Sequence, residues 1–124
     1  MSRLGLFRLA VAVGGLVPVL AGLTGVVAGP AMLGAESGAD EDSHFRYLSG
    51  LLLGIGLGFW STLGDPLRHA GRFRLLTAIV VSGGLGRLCG LLLRGAPGAP
   101  MLAALGMELV VTPLLCLWHA RLAR

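Results

Sequence analysis

The chain alternates between long apolar runs and short polar connections. No charged residue occurs between Arg8 and Glu36, and three further apolar runs follow it. A helix rises about 1.5 Å per residue, so about 20 apolar residues cross the roughly 30 Å hydrocarbon core of a bilayer. The pattern therefore predicts an all-α protein with four transmembrane helices, at about residues 5–29, 45–64, 73–94 and 101–119.

The first apolar run has an alternative interpretation as a signal peptide, because Arg3 and Arg8 precede it. The apolar part of a signal peptide is only about 7–15 residues long, and this run is longer. We therefore interpret it as a helix that stays in the membrane, and the whole of residues 1–124 as a single integral membrane domain.

The connections predict how the helices follow one another. Residues 30–43 form an acidic loop in which Asp42 or Ser43 is a natural N-cap for the second helix. Asp65-Pro66 ends that helix, and the prolines of RGAPGAP force a turn before the fourth. Short connections make successive helices antiparallel, so we expect an up-down-up-down four-helix transmembrane bundle.

Arginine positions predict the orientation, because cytoplasmic loops are enriched in basic residues. With the N-terminus inside, only Arg46 and Arg94 lie on the outer side, whereas the cytoplasmic side carries Arg3, Arg8, Arg68, Arg72, Arg74, Arg121 and Arg124. Both termini are therefore expected in the cytoplasm of a multi-pass cell-membrane protein, with His119 at the cytoplasmic interface.

Composition supports the membrane interpretation. The chain is 55% hydrophobic and 13% charged, about half the charged fraction of an average soluble domain. Its net charge of +4 does not indicate nucleic acid, because the arginines flank apolar segments. Cys89 and Cys116 lie in separate apolar segments without metal-ligand or disulfide spacing, so we expect no metal and no cofactor.

Glycines four residues apart recur within the spans. They form Gly50-x3-Gly54-x3-Gly58 in the second helix, Gly86-x3-Gly90 in the third and Gly25-x3-Gly29 in the first. Small residues at this spacing let helix backbones approach closely in lipid. The pattern predicts a tightly packed bundle and is compatible with a homodimer through glycine-lined helices, without deciding the oligomeric state.

Arg87 and Glu108 are the charges inside the third and fourth predicted spans. Arg87 lies about 12 Å below the outer end of its helix, and Glu108 about 10 Å below the outer end of the next. A charge at this depth costs several kcal/mol unless it is paired or hydrated. Because the helices are antiparallel neighbours, we predict an Arg87–Glu108 ion pair, which either fixes the helix register or forms a functional site.

Other polar groups extend this predicted site. Gly83 and Gly90 would leave room for the Arg87 side chain, Thr112 lies one turn from Glu108, and Pro113 frees a backbone carbonyl. We predict that the ligand contacts are made by Arg46, Tyr47, Arg87, Glu108 and Thr112. The candidate catalytic residues are Glu108, Arg87 and Asp42. Glu108 would be the general acid or base beside Arg87, and Asp42 or His44 a second proton carrier. For Arg46 alone, an interfacial snorkelling role is the alternative.

Three segments resemble a known family. They are DSHFRYLSGLLLGIGL (residues 42–57), SGGLGRL (82–88) and MELVVTPLL (107–115), which contain Arg46, Arg87 and Glu108. They are similar to bacterial membrane proteins grouped as the domain of unknown function four-three-four-five. The resemblance implies a small four-helix membrane fold and implies no activity.

Three functions fit these residues. The first is binding of a lipid or small apolar ligand, or of a partner protein, at an Arg87–Glu108 site open to the outer face. The second is a membrane-embedded enzyme for a lipid-like or isoprenoid substrate, with Glu108 as general base because Arg87 keeps it ionised. The third is a small proton-coupled exporter. Whether the protein is an enzyme is left open by the sequence.

Overall fold

The computed structural model describes residues 1–124, which are helical and contain no strand. The four main helices are α1 (Arg3–Ala28), α2 (Ala39–Trp60), α3 (Ala70–Arg94) and α4 (Ala99–Leu122). A short 3-10 helix, Gly29–Leu33, continues α1. The predicted all-α class with four helices is confirmed.

Three of these helices are long and apolar enough to cross a membrane: α1 with its 3-10 extension, α3 and α4. The second helix is not one of them, because its first turns are strongly polar. It begins at Ala39 and ends at Trp60, so residues 61–64 of the predicted span lie beyond the end of the helix. The protein thus has three helices that fit a membrane bundle, and a fourth crossing by α2 stays a prediction.

The start of α2 also differs from the prediction. Gly38 occupies the N-cap position, and the acidic residues Asp40, Glu41 and Asp42 follow within the first turn. The predicted N-cap at Asp42 or Ser43 is therefore wrong. Carboxylates inside a first turn still interact favourably with the positive end of the helix dipole, which explains why the helix extends through them.

The chain forms two compact units. One comprises Arg8–Leu63, and the other comprises Met1–Phe7 with Gly64–Arg124. Each is described by itself below. The single integral domain expected for residues 1–124 stays a prediction.

Within the unit Arg8–Leu63, α1 and α2 pack through glycines. A Cβ atom at Gly22 would lie 2.5 Å from the backbone nitrogen of Leu53 and 2.7 Å from the carbonyl oxygen of Ser49. Contact with backbone cannot be relieved by a side-chain rotation, so glycine is required here. Further along, the Trp60 indole donates a hydrogen bond to the Ala12 carbonyl (3.1 Å).

The other unit is closed at one end by an aromatic cluster. Phe7 and Phe73 are fully buried, and the His119 ring stacks on Phe73 at a centroid distance of 4.9 Å and an interplanar angle of 7°. Trp118 and Phe7 form a T-shaped pair with a centroid distance of 5.3 Å. His119 Nε2 donates to the Pro66 carbonyl at 2.7 Å. His119 is only 2% exposed, so it belongs to the packed interior of this unit, and its position at the cytoplasmic interface stays a prediction.

Candidate functional site

The geometry of α4 changes at the segment that carries Glu108. The helix is regular from Ala99 to Gly106, forms a π turn over Met107–Val111, and is regular again from Thr112. Pro113 follows directly. A proline has no N–H, and its ring crowds the carbonyl group four residues earlier, so a regular α-helix is disfavoured at this point. We attribute the π turn to this proline; such turns occur frequently at functional sites.

Thr112 fixes the end of the π turn. Its backbone N–H and its side-chain hydroxyl both donate to the carbonyl oxygen of Met107, the hydroxyl at 2.7 Å. One acceptor therefore receives two bonds, which tie the first residue of the turn to the residue that directly follows it. The Thr112 hydroxyl is engaged within its own helix, and its predicted contact with a ligand stays a prediction.

Arg87 of α3 forms an ion pair with Glu108 of α4. Arg87 Nε donates to Glu108 Oε1 at 2.8 Å. Arg87 lies seven residues before Arg94, about 10 Å along α3, and Glu108 lies nine residues after Ala99, about 14 Å along α4. The predicted pairing of these charges is present in the structure.

Gly84 allows the two helices to approach at the ion pair. It is buried, and a Cβ atom there would lie 2.9 Å from Glu108 Cβ and 2.7 Å from Leu109 Cδ2. We expected Gly83 and Gly90 to make room for Arg87, but a Cβ at either position would meet no atom within 4 Å. The expectation was wrong because Gly84, one residue further along the helix, faces α4.

Both partners of the ion pair have hydrogen-bonding groups that the pair does not use. Glu108 Oε2 is buried and has no hydrogen-bond partner within the protein. Arg87 uses Nε for Glu108 and Nη1 for the thioether of Met101 at 3.0 Å, which is a weak acceptor. The Arg87 side chain is 37% exposed and that of Glu108 15%. A carboxylate oxygen and part of a guanidinium group are thus available for further hydrogen bonds.

The unit Arg8–Leu63 contains a second arginine–carboxylate pair with different geometry. Arg46 donates to both carboxylate oxygens of Asp42, from Nε at 2.6 Å and from Nη2 at 3.3 Å. Its Nη1 donates to the carbonyl oxygens of Val26 (2.7 Å) and Val27 (2.9 Å). These carbonyls belong to the last turn of α1, where helices leave acceptors unsatisfied. Arg46 therefore links the end of α1 to the start of α2.

The family model of a domain of unknown function, DUF4345, matches residues 6–119. This chain belongs to that family. Neither the search of curated proteins nor the search of solved structures gives a match. The family match covers both arginine–carboxylate pairs and the π turn, and it assigns no activity to any of them.

The remaining predicted site residues of this DUF4345 chain lie on α2. Tyr47 is 62% exposed, and its ring stacks on His44 at a centroid distance of 6.4 Å. An open depression beside them is lined by Asp40, Glu41, His44, Phe45 and Leu48. The structure joins Arg87 to Glu108 and Asp42 to Arg46, each pair within its own unit. The ligand-binding roles predicted for Arg46 and Tyr47 stay predictions.

Three features of the site were missed by sequence reasoning. Met101 is the neighbour of the Arg87 guanidinium, Gly84 is the contact glycine, and Met107–Val111 forms a π turn. The π turn could have been anticipated from the Thr112-Pro113 dipeptide inside an apolar run, because a proline at this position must disturb the helix. The sequence carries no comparable signal for Met101.

Proposed function

We propose that this protein is a multi-pass protein of the cell membrane that binds the polar head of a lipid or of a small, largely apolar ligand at Arg87 and Glu108. The observation that supports the proposal is the buried Glu108 Oε2, which has no partner within the protein. An unpaired polar atom removed from water costs about 1–3 kcal/mol, and more when it is charged. A ligand that brings a hydrogen-bond donor would remove that cost.

The Glu108 side chain is 15% exposed, so a ligand can approach its carboxylate group. The terminal torsion of a glutamate is broad, so a rotation about the Cγ–Cδ bond brings the buried Oε2 within reach of that ligand. Both oxygens move in such a rotation, and the long Arg87 side chain follows them. The ligand implied has a hydroxyl or ammonium group on a molecule that otherwise prefers the membrane.

A comparison of two phospholipids tests the proposal. Phosphatidylethanolamine and phosphatidylcholine share a phosphate, but only the first has N–H donors. We expect the purified protein to bind phosphatidylethanolamine about tenfold more tightly in native mass spectrometry, since a hydrogen bond to a charged group contributes roughly 1.5–3 kcal/mol. Equal affinity for the two lipids would contradict the proposal.

Glu108→Gln is the matching variant. Its amide oxygen can still accept the Arg87 bond, so the helices stay paired, while its NH2 group replaces the acceptor Oε2. We expect the preference for phosphatidylethanolamine to disappear while the melting temperature stays near that of the wild type. Glu36→Gln, in the connection before α2, is the control and should retain the preference.

The enzymatic alternative uses the same oxygen. An ionised carboxylate with one oxygen held by Arg87 and the other unpaired fits a general base. Asp42 gives this alternative no second proton carrier, because Arg46 contacts both of its oxygens. Extraction of the bound lipid after prolonged incubation tests it. A molecule recovered with unchanged mass, at one per protein, favours binding, whereas a changed mass that requires Glu108 favours catalysis.

A further inference from the structure

The guanidinium group of Arg87 has donors that no good protein acceptor uses. Its Nε bonds to Glu108, and its Nη1 contacts only the thioether of Met101. Arg46, by comparison, places Nη1 on two carbonyl oxygens and Nη2 on a carboxylate oxygen. A guanidinium group needs strong acceptors wherever water is scarce, so the exposed edge of Arg87 requires an acceptor from outside the chain.

The direction of the Arg87 side chain limits where that acceptor can lie. Met101 is in the first turn of α4, only two residues after Ala99, whereas Glu108 is a further seven residues along. The guanidinium group contacts both side chains, so it extends from the level of Glu108 toward the Ala99 end of the helix. Its exposed edge therefore faces the end of α4, not the middle of the membrane.

Helix lengths bring this edge close to the lipid head groups. Helix α3 has 25 residues and is about 37 Å long, which exceeds the roughly 30 Å hydrocarbon core by a few ångströms at each end. Arg87 lies about 10 Å from the Arg94 end, so its Cα atom is about 7 Å inside the hydrocarbon. An arginine side chain spans that distance by snorkelling.

We infer that the ligand of this site carries a phosphate group that accepts hydrogen bonds from Arg87, next to the donor group that meets Glu108. The inference rests on the proposed function and specifies its ligand as a phospholipid with a hydroxyl or amine in its head group. A guanidinium edge matches phosphate oxygens in charge and geometry. The adjacent Glu108 carboxylate selects head groups that carry a hydrogen-bond donor, because it would repel an anionic head group without such a donor.

A pair of lipids that differ in the phosphate tests this inference. Phosphatidylglycerol and a glucosyl diacylglycerol both carry several hydroxyl donors, but only the first has a phosphate. We expect the protein in detergent to bind phosphatidylglycerol about tenfold more tightly, because the phosphate adds one charged hydrogen-bonded contact. Equal binding of these two lipids, with the Glu108-dependent preference for phosphatidylethanolamine intact, overturns the inference and leaves the proposed function standing.

Variants assign the effect to Arg87. In Arg87→Gln combined with Glu108→Gln the neutral side chains still hydrogen-bond to each other, and the phosphate preference should disappear. Arg94→Gln, at the end of the same helix, should keep it and controls for general attraction of anionic lipid. The inference fails if the double variant keeps the preference, or if Arg94→Gln loses it to the same extent.

Inorganic phosphate distinguishes a phospholipid from a soluble phosphate compound. A lipid also gains from packing its chains against the apolar helices, which inorganic phosphate cannot do. Inorganic phosphate alone should therefore not raise the melting temperature, whereas phosphatidylglycerol should. An equal increase with inorganic phosphate would overturn the assignment to a lipid. Loss of the distinction between phosphatidylethanolamine and phosphatidylcholine would instead contradict the proposed function itself.

Discussion

The two arginine–carboxylate pairs of this protein use the same chemistry in opposite ways. Arg46 contacts both oxygens of Asp42 and two carbonyl groups at the end of α1, so its donors are used within the protein. Arg87 contacts one oxygen of Glu108 and a weak sulfur acceptor, and the second oxygen is left without a partner. A pair whose hydrogen-bonding groups are all used within the protein serves to hold helices together. A pair with unused groups can also form hydrogen bonds with a molecule outside the chain.

The glycines at the two helix interfaces also differ in what they face. Gly22, between α1 and α2, faces backbone atoms of the neighbouring helix, whereas Gly84, between α3 and α4, faces the end of the Leu109 side chain and a Glu108 carbon. A leucine can change rotamer, but Glu108 Cβ moves only with its own backbone. The first contact is therefore rigid throughout, and the second is adaptable only at the Leu109 side chain.

The largest stability effect should come from Gly22→Ala, which tests the rigid contact. Its Cβ would lie 2.5 Å from Leu53 N, so α1 and α2 must separate. We expect a loss of about 3 kcal/mol in the free energy of unfolding, measured by denaturing-detergent titration. Gly54→Ala, where a Cβ meets nothing within 4 Å, is the control and should be neutral or slightly stabilising. Equal losses would show that the close approach of Gly22 is not limiting.

The next effect should come from Arg46→Lys, which tests the anchoring role. A lysine cannot hold both oxygens of Asp42 and reach the Val26 and Val27 carbonyls together. We expect faster amide hydrogen exchange in Gly29–Leu33 and in the first turn of α2, with the preference for phosphatidylethanolamine unchanged. A change in lipid preference as large as that of Glu108→Gln would remove the distinction between the two pairs.

A smaller effect is expected from Gly84→Ala, which tests the adaptable contact. The Leu109 side chain can move away from the new methyl group, but Glu108 Cβ, 2.9 Å from it, moves only with its backbone. We therefore expect a loss of about 2 kcal/mol, below that of Gly22→Ala. The displaced Glu108 should also bind phosphatidylethanolamine less tightly. Gly83→Ala, with open space at its Cβ, provides the control. A loss as great as for Gly22→Ala would mean that both interfaces are rigid.

The smallest effect should come from Thr112→Val, which removes the hydroxyl bond to Met107 and keeps the side-chain shape. We expect about 1 kcal/mol or less, together with faster amide exchange in Met107–Val111. Ser82→Ala removes a similar bond, to Ala78 at 2.8 Å in a regular turn of α3, and should leave that segment unchanged. Unchanged exchange in the Thr112 variant would show that the hydroxyl does not hold the π turn.

Sequence reasoning predicted the helices and one of the two pairs. Arg87 and Glu108 were matched because depth in a membrane helix follows directly from residue counting. The four-residue spacing of Asp42 and Arg46 was visible, but the Val26 and Val27 carbonyls became partners only through the turn between α1 and α2. Chain position alone does not reveal such a contact.

The choice between neighbouring glycines was beyond sequence reasoning for another reason. Adjacent residues on a helix point about 100° apart, so Gly83 and Gly84 face different surroundings. With 21 glycines in the chain, their spacing does not identify the one that touches a partner helix. The π turn was missed because periodicity assumes a constant 3.6 residues per turn.

The extra residue of the π turn has a consequence for comparing relatives. It rotates everything before Met107 by about 100° relative to everything after Val111. A homologue with one residue fewer between Gly106 and Pro113 would straighten the helix and swing its acidic side chain off the α3 face. In an alignment, a single-residue gap at this point would therefore separate members that keep the charge pair from members that have lost it.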